Sequence, residues 1–190
     1  MSMARPTQDQ CKAWLDGIRT VKHWPKHGVM FKDITPLFQN PAYFKSMIDT
    51  FRQRYETMKP DVIAGIDARG FMLGAALAQA MGLGFVPIRK AGKLPFETIS
   101  EDYTLEYGQA SIEIHIDALH AGDKVLLVDD LMATGGTMLA AVRLIKRLKA
   151  EVLEACTIVD LRDLGGSALL RGEAVSVFSL LAIDSGDDTH

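Results

Sequence analysis

Asp129 and Asp130 close an apolar run, Val125-Leu126-Leu127-Val128, and Ala133-Thr134-Gly135-Gly136-Thr137 follows almost at once. Adjacent residues on a strand point to opposite faces, so two neighbouring carboxylates inside a buried strand would be costly. At a strand's end the chain turns, and both acids can meet one ligand. There they accept hydrogen bonds from hydroxyl groups or act as outer ligands of Mg2+. The next segment has almost no side-chain bulk. Gly135 and Gly136 allow turns closed to other residues and let a ligand approach the main chain. A helix is expected to start there, so its free N–H groups and the positive end of its dipole face the loop. Thr134 and Thr137 add hydroxyl donors. A phosphate cradle beside two hydroxyl-binding acids describes a receptor for a ribose 5-phosphate.

A second anion site is legible at Ala68-Arg69-Gly70, where a strand gives way to a helix and an Arg stands beside the helix N-terminus. Two commoner phosphate motifs are absent. The G-x-x-x-x-G-K-[ST] loop fails because Leu94 follows Gly92-Lys93 and Pro87 stands where the first Gly belongs. The dinucleotide fingerprint fails because Pro87, not a third Gly, follows Gly82-x-Gly84.

The elements that must position these residues alternate. Asp61–Asp67, Gly84–Lys90, Asp123–Asp130, Glu151–Leu161 and Val175–Leu181 read as strands. Gly70–Met81 reads as a helix apolar on nearly every side. Gly136–Ala150 reads as an amphipathic helix with Met138, Ala141, Val142, Ile145 and Leu148 on one side. Strands apolar on both faces need cover on both faces, which predicts an α/β fold with a mainly parallel sheet flanked by helices. Such sheets bind ligands at the strand C-termini. Two regions fall outside the alternation. Residues 1 to about 40 carry a helical pattern over Gln8–Val21 and then His23-Trp24-Pro25 and Gly28-Val29-Met30-Phe31-Lys32-Asp33. Lys90 to about Gly122 holds a long polar loop, about 91–107, and then Ser111–Asp117, which alternates like a half-exposed strand. The last residues, 184–190, read as a frayed acidic tail.

At 190 residues the chain suits a single domain. A net charge of -3 argues against a general nucleic-acid binder. Cys11 and Cys156 lack any metal or disulfide spacing and read as reduced thiols of a cytoplasmic protein. The N-terminus has no signal-peptide core. Gly70–Ile88 is uncharged, but Gly82, Gly84 and Pro87 break it, so a core helix followed by a buried strand replaces a membrane span. The five histidines form no ligand spacing.

Val125–Met138 resembles the phosphoribosyl-diphosphate (PRPP) signature of type I phosphoribosyltransferases. Gly28–Leu37, Gly65–Phe71, Arg89–Pro95, Glu97–Gly108 and Ile112–Leu119 are similar to the adenine-specific members, so the resemblance spans roughly 25–181. It implies the reaction adenine + PRPP → AMP + pyrophosphate, with Mg2+ as cofactor and a homodimer as the assembly. It also implies a small N-terminal hood with the base-binding segment (about 1–40), an α/β core (about 41–182) and an active-site lid over 91–107.

The implied roles fall residue by residue. Asp129 and Asp130 would hold the ribose hydroxyls and steady a Mg2+ carried by PRPP. Ala133, Thr134, Gly135, Gly136 and Thr137 would hold the 5-phosphate. Ala68 and Arg69 would form the diphosphate loop, with a non-proline cis peptide near Ala68. Arg89, Lys90 and Lys93 would add positive charge over the diphosphate, Arg89 from the neighbouring subunit; read alone, these three are equally a solvated basic turn. Glu106, at the lid's end, would exchange a proton with adenine, and Tyr107 would help close the lid; an isolated Glu there is otherwise a surface residue. Phe31 would stack on the purine while the main chain of Met30 and Lys32 reads its edge; Phe31 is otherwise a core residue. Many relatives carry Arg at position 32 and a small aliphatic at 30, and bacterial ones often a basic residue where Phe96 stands. Two rival readings are a PRPP-sensing regulator without catalysis and a sister enzyme for another base.

Overall fold

The computed structural model describes residues 4–105 and 108–187. The chain opens with helix α1 (Gln8–Asp16), started by a reciprocal capping box between Thr7 and Gln10. The helix expected to reach Val21 stops at Gly17. The β-branched Thr20 and Val21 instead join strand β1 (Arg19–Lys22), which pairs antiparallel with β2 (Met30–Asp33), Val21 opposite Phe31. Helices α2 (Thr35–Gln39) and α3 (Pro41–Tyr55) follow. The side chain of Asn40 accepts from the N–H groups of Ala42 and Tyr43, and Pro41 fills the first helical position, so α3 starts on a strong local signal.

The core elements are β3 (Val62–Ile66), α4 (Arg69–Met81), β4 (Gly84–Lys90), β5 (Thr98–Leu105), β6 (Gly108–His115), β7 (Lys124–Val128), β8 (Leu131–Met132), α5 (Gly136–Arg147), β9 (Glu151–Leu161), α6 (Gly166–Gly172) and β10 (Val177–Ile183). The sheet runs β10-β9-β7-β3-β4-β6-β5, with β8 beside β9. Its β10-β9-β7-β3-β4 part is parallel; β6 and β5 complete one edge as an antiparallel hairpin. The fold is the expected α/β architecture.

Two apolar layers sandwich the sheet. Trp14, Phe51, Tyr55, Leu73 and Leu77 from α1, α3 and α4 pack with Leu126, Val128, Cys156 and Ile158. Met138, Val142 and Ile145 from α5 pack with Val125, Leu127, Ala155, Ile112 and Ile114. Residues 125–128 are therefore buried on both faces, as their uniform apolarity predicts. The uncharged stretch from Gly70 to Ile88 is α4 and then β4, and no described helix is long and apolar enough to cross a membrane.

Two further expectations change. The loop expected over 91–107 is a loop only to residue 97; Thr98–Leu105 forms β5. Ile99 and Tyr103 pack inward, and Glu101 on the same face meets Arg143 and Arg147 of α5. The strand looked polar because its helix-facing side carries an ion-paired acid. The segment expected as a frayed tail is anchored through Asp187: Ser185 bonds to Asp163, Arg162 pairs with Asp184, and the Asp187 carbonyl accepts from Lys32.

Candidate active site

Parallel pairing of β3 with β7 brings their C-terminal ends side by side, and the two anion loops with them. Helix α4 lies close on this edge because residue 70 is glycine. A Cβ there would sit 2.8 Å from the Val128 carbonyl oxygen and 3.0 Å from Asp129 Oδ1. The Asp67–Ala68 peptide bond is cis, where the resemblance placed one.

After Val128 strand β7 ends, and the chain resumes as β8 in the same register against β9. The Asp130 carbonyl accepts from both Ile158 and Val159 N–H groups, so the two acids stay tied to β9 in the gap between β7 and β8. Asp129 Oδ1 accepts from the Asp130 N–H. Asp130 is 4 % exposed, and Arg69 Nε stands 2.5 Å from its Oδ2. That contact is an ion pair without a directed hydrogen bond, so Oδ2 remains a buried acceptor with no donor aimed at it. Burial, then the charge of Asp130, pushes the Asp129 carboxyl well above the usual range, and Arg69 opposes this.

The cradle follows. Gly135 adopts φ +84° and precedes α5 with no side chain capping the helix, so the first-turn N–H groups are left for another acceptor. The loop is braced from behind by Gly166: its N–H donates to the Ala133 carbonyl, and a Cβ there would lie 2.3 Å from that oxygen. Thr134 is exposed and Thr137 half-buried at the cradle's mouth.

On the other flank Phe31 is half-buried and belongs to neither core layer. Trp24 meets it edge-on at 4.3 Å, and the Arg69 guanidinium lies 5.7 Å from its centre. Arg69 thus links the base-slot candidate to the ribose candidate. Met30 is half-buried beside it on β2. Lys32 is 3 % exposed, and its ammonium donates to Thr20 Oγ1 and to the Asp187 carbonyl, tying the C-terminal segment to the hairpin.

Arg89 is not a free surface cation. Its Nε lies 3.2 Å from Asp67 Oδ2 of the same chain, and its Nη1 donates to the Lys93 carbonyl. Lys90 and Lys93 are exposed. Glu106 and Tyr107 lie outside the described residues. Sequence reasoning missed Asp67, Trp24, Glu113 and Gly166. Asp67 had a signal, an acid closing a buried strand; Gly166, in a second Gly pair, had a weaker one.

The chain matches the family described as phosphoribosyl transferase domain over residues 33–184. An adenine phosphoribosyltransferase of Methylibium petroleiphilum is 56% identical over 167 residues, 88% of this chain and 85% of the relative. The crystal structure of the adenine phosphoribosyltransferase of Thermoanaerobacter pseudethanolicus superposes with a TM-score of 0.86 at 42% identity, covering 93% of this chain and 100% of that one. The Saccharomyces cerevisiae enzyme, solved with adenine and an imino-altritol bisphosphate, gives 0.87 at 38% identity, covering 92% and 100%. With the paired acids, the glycine cradle and the arginine loop gathered on one sheet edge, the chain belongs to the phosphoribosyltransferase family and, within it, to the adenine phosphoribosyltransferases.

Proposed function

We propose that this sheet edge carries the transfer of the 5-phosphoribosyl group from PRPP to adenine, giving AMP and pyrophosphate, a purine salvage step. The supporting observation is one juxtaposition: a buried acid with an unfilled acceptor, Asp130, between the open N-terminus of α5 and the Arg69–Phe31 contact. In this reading Asp129 and Asp130 accept from the ribose hydroxyls, and residues 133–137 take the 5-phosphate on main-chain amides. Ala68 and Arg69, with Arg89, Lys90 and Lys93 beside them, face the diphosphate. Phe31 stacks on adenine, with the main chain of Met30 and Lys32 at its edge.

The bond from ribose C1 to the diphosphate oxygen breaks, and a bond from C1 to a ring nitrogen of adenine forms. Positive charge develops on the sugar and negative charge on the leaving diphosphate. The guanidinium of Arg69 and the amides of the loops are fixed donors for the latter. Glu106 takes the proton that leaves the adenine ring nitrogen, and Tyr107 helps close the site. The division into a hood over about 1–40, a core over about 41–182 and a tail over 184–190 belongs to the same reading.

Mg2+ fits the acid pair, since hard carboxylate oxygens suit it and Asp130 Oδ2 lacks a directed donor. Among the described residues no cluster of three ligands could hold a metal alone, so the ion would come with PRPP oxygens. When bound, it supplies charge neutralisation at the diphosphate.

The homodimer is supported by apolar surface on the hairpin side, where Phe96 is 56% and Ile116 41% exposed. Arg89 is held at this edge by Asp67 of its own chain, and in the dimer of this reading it reaches the diphosphate of the neighbouring subunit. The free thiols Cys11 and Cys156 suit the cytoplasm.

A base-panel assay tests the reading. With PRPP and Mg2+, adenine should turn over and hypoxanthine, guanine and orotate should not. Turnover of hypoxanthine alone rejects it; PRPP binding without turnover of any base favours the regulator. Glu106→Gln should leave PRPP affinity near normal and slow turnover about 10²-fold or more, the usual scale of general acid–base help; an unchanged rate removes Glu106 from the mechanism.

A further inference from the structure

Glu113 sits on β6, directly opposite Arg89 of β4 in the antiparallel register, and is 5 % exposed. An acid on an alternating edge hairpin would ordinarily face water. Here the loop after β4 folds back over it. Glu113 Oε1 accepts from the N–H groups of Lys93 and Leu94, both at 2.8 Å, and Thr98 Oγ1 stands 3.5 Å from Oε2. The burial raises the carboxyl's pKa, but the amides of Gly92, Leu94 and Lys93 outweigh it, and the pKa lies below the usual range.

The amides that Glu113 holds belong to the residues that shape the basic loop. Fixing the Leu94 N–H fixes the Lys93–Leu94 peptide plane and with it the Lys93 carbonyl, which accepts from Arg89 Nη1. Arg89 Nε reaches Asp67, the first residue of the cis peptide before Arg69. A continuous chain of contacts therefore runs from Glu113 through the Lys93 main chain and Arg89 to the diphosphate loop. Arg89 also lies 6.0 Å from the Phe71 ring centre on α4, which confines it from the other side.

We propose that Glu113 is a positioning residue for PRPP: its carboxylate gathers the 92–94 amides and so aims Arg89 and Lys93 at the departing diphosphate. Glu113 touches no reacting atom. It acts as an internal anion filling a nest of N–H groups, so that the cations of the loop stay turned toward an external one. The inference rests on the reading that this basic loop faces the diphosphate.

Glu113→Gln keeps the shape and removes the charge: its amide oxygen can still take the Lys93 and Leu94 N–H groups while its NH2 faces the Thr98 hydroxyl, so what it weakens is the charge-assisted strength of the two amide contacts. The expected result is a KM for PRPP raised about tenfold, a change of about 1.4 kcal/mol. The KM for adenine should stay within about twofold, because no adenine contact is altered, and kcat should fall less than the PRPP KM rises, because the diphosphate is charged in the bound substrate as well as in the transition state. Thr98→Val, which removes a single long contact, should raise the PRPP KM about twofold. Arg89→Ala and Lys93→Ala are measured alongside. If both raise the PRPP KM while Glu113→Gln leaves it unchanged, the positioning role is overturned and the diphosphate reading stands. If neither raises it, the diphosphate reading falls and takes the inference with it. A Glu113→Gln protein that loses kcat and both KM values together, with a lowered melting temperature, marks a general structural role and also overturns the proposal.

Discussion

Two buried acids of this molecule are equally hidden and differently finished. Glu154 and Asp130 are each 4 % exposed, and each faces an arginine. Glu154 takes two hydrogen bonds from Arg54, at 2.8 and 2.9 Å, and a third from the Tyr55 hydroxyl at 2.8 Å. Arg54 itself is packed 3.9 Å over the Phe178 ring. Asp130 has a half-exposed Arg69 beside it, no directed donor on Oδ2, and a second carboxylate next door. Folding completes the first site, whereas a ligand is needed to complete the second. Burial alone therefore does not mark function; Asp130 is set apart by an acceptor without a directed donor, a second carboxylate beside it and the uncapped start of α5 a few residues on.

The same contrast governs the neighbouring thiol. Burial holds Cys156 protonated far above the ordinary thiol range, and burial likewise pushes the Tyr55 hydroxyl well up. Both stay neutral, which leaves Glu154 and Arg54 as the charged pair on the α3 side of the sheet. Nothing there is poised to react.

Removing one partner of each acid should separate the two sites. Glu154→Ala leaves Arg54 buried and unpaired, so unfolding stability should fall by about 3–5 kcal/mol while the folded fraction keeps its kcat/KM. Denaturant melts with parallel turnover assays read both; a stable variant with lost activity would reverse the assignment. Asp130→Asn should do the opposite. It keeps the fold and lowers kcat/KM for PRPP by about 10²-fold, the scale of a lost charged contact in a transition state. Full activity in that variant would move the ribose site elsewhere.

A smaller effect sharpens the contrast through pH. The raised Asp129 carboxyl means the ligand-free folded state holds a proton that the unfolded chain has already released. Its stability should therefore fall as pH rises from the ordinary carboxylate range through the raised value. Asp129→Asn should flatten that slope and raise the melting temperature at neutral pH while impairing PRPP binding. An unchanged pH slope would show that the acid pair carries no such strain. Smallest is Glu101→Gln at the β5–α5 contact, whose partly exposed pairs with Arg143 and Arg147 should contribute under about 1 kcal/mol.

What the sequence made legible follows the range of the interactions. The strand at 125–128, the acids after it and the glycine cradle are local in the chain, and each carries its own signal. Helix α3 was equally local in its start, Asn40-Pro41, but its charged face hid the apolar one. Strand β5 was hidden by Glu101, whose partners lie on a helix some forty residues away. Glu113 looked like an exposed acid on an alternating strand, because the loop that buries it is shaped by non-local pairing. The Lys32 side chain and the 184–187 segment meet across most of the chain's length, and no spacing could announce that. Arg69 was legible as an anion-binding arginine, but not as the partner of Asp130.

The measurement that reaches the central claim most directly is a crystal structure of the protein with AMP bound. The account predicts the ribose hydroxyls on Asp129 and Asp130, the 5-phosphate on the amides of 133–137, the base against Phe31, and Arg69 released from Asp130. A nucleotide bound elsewhere, or seated there with both carboxylates turned from its sugar and the Arg69–Asp130 pair intact, would contradict it.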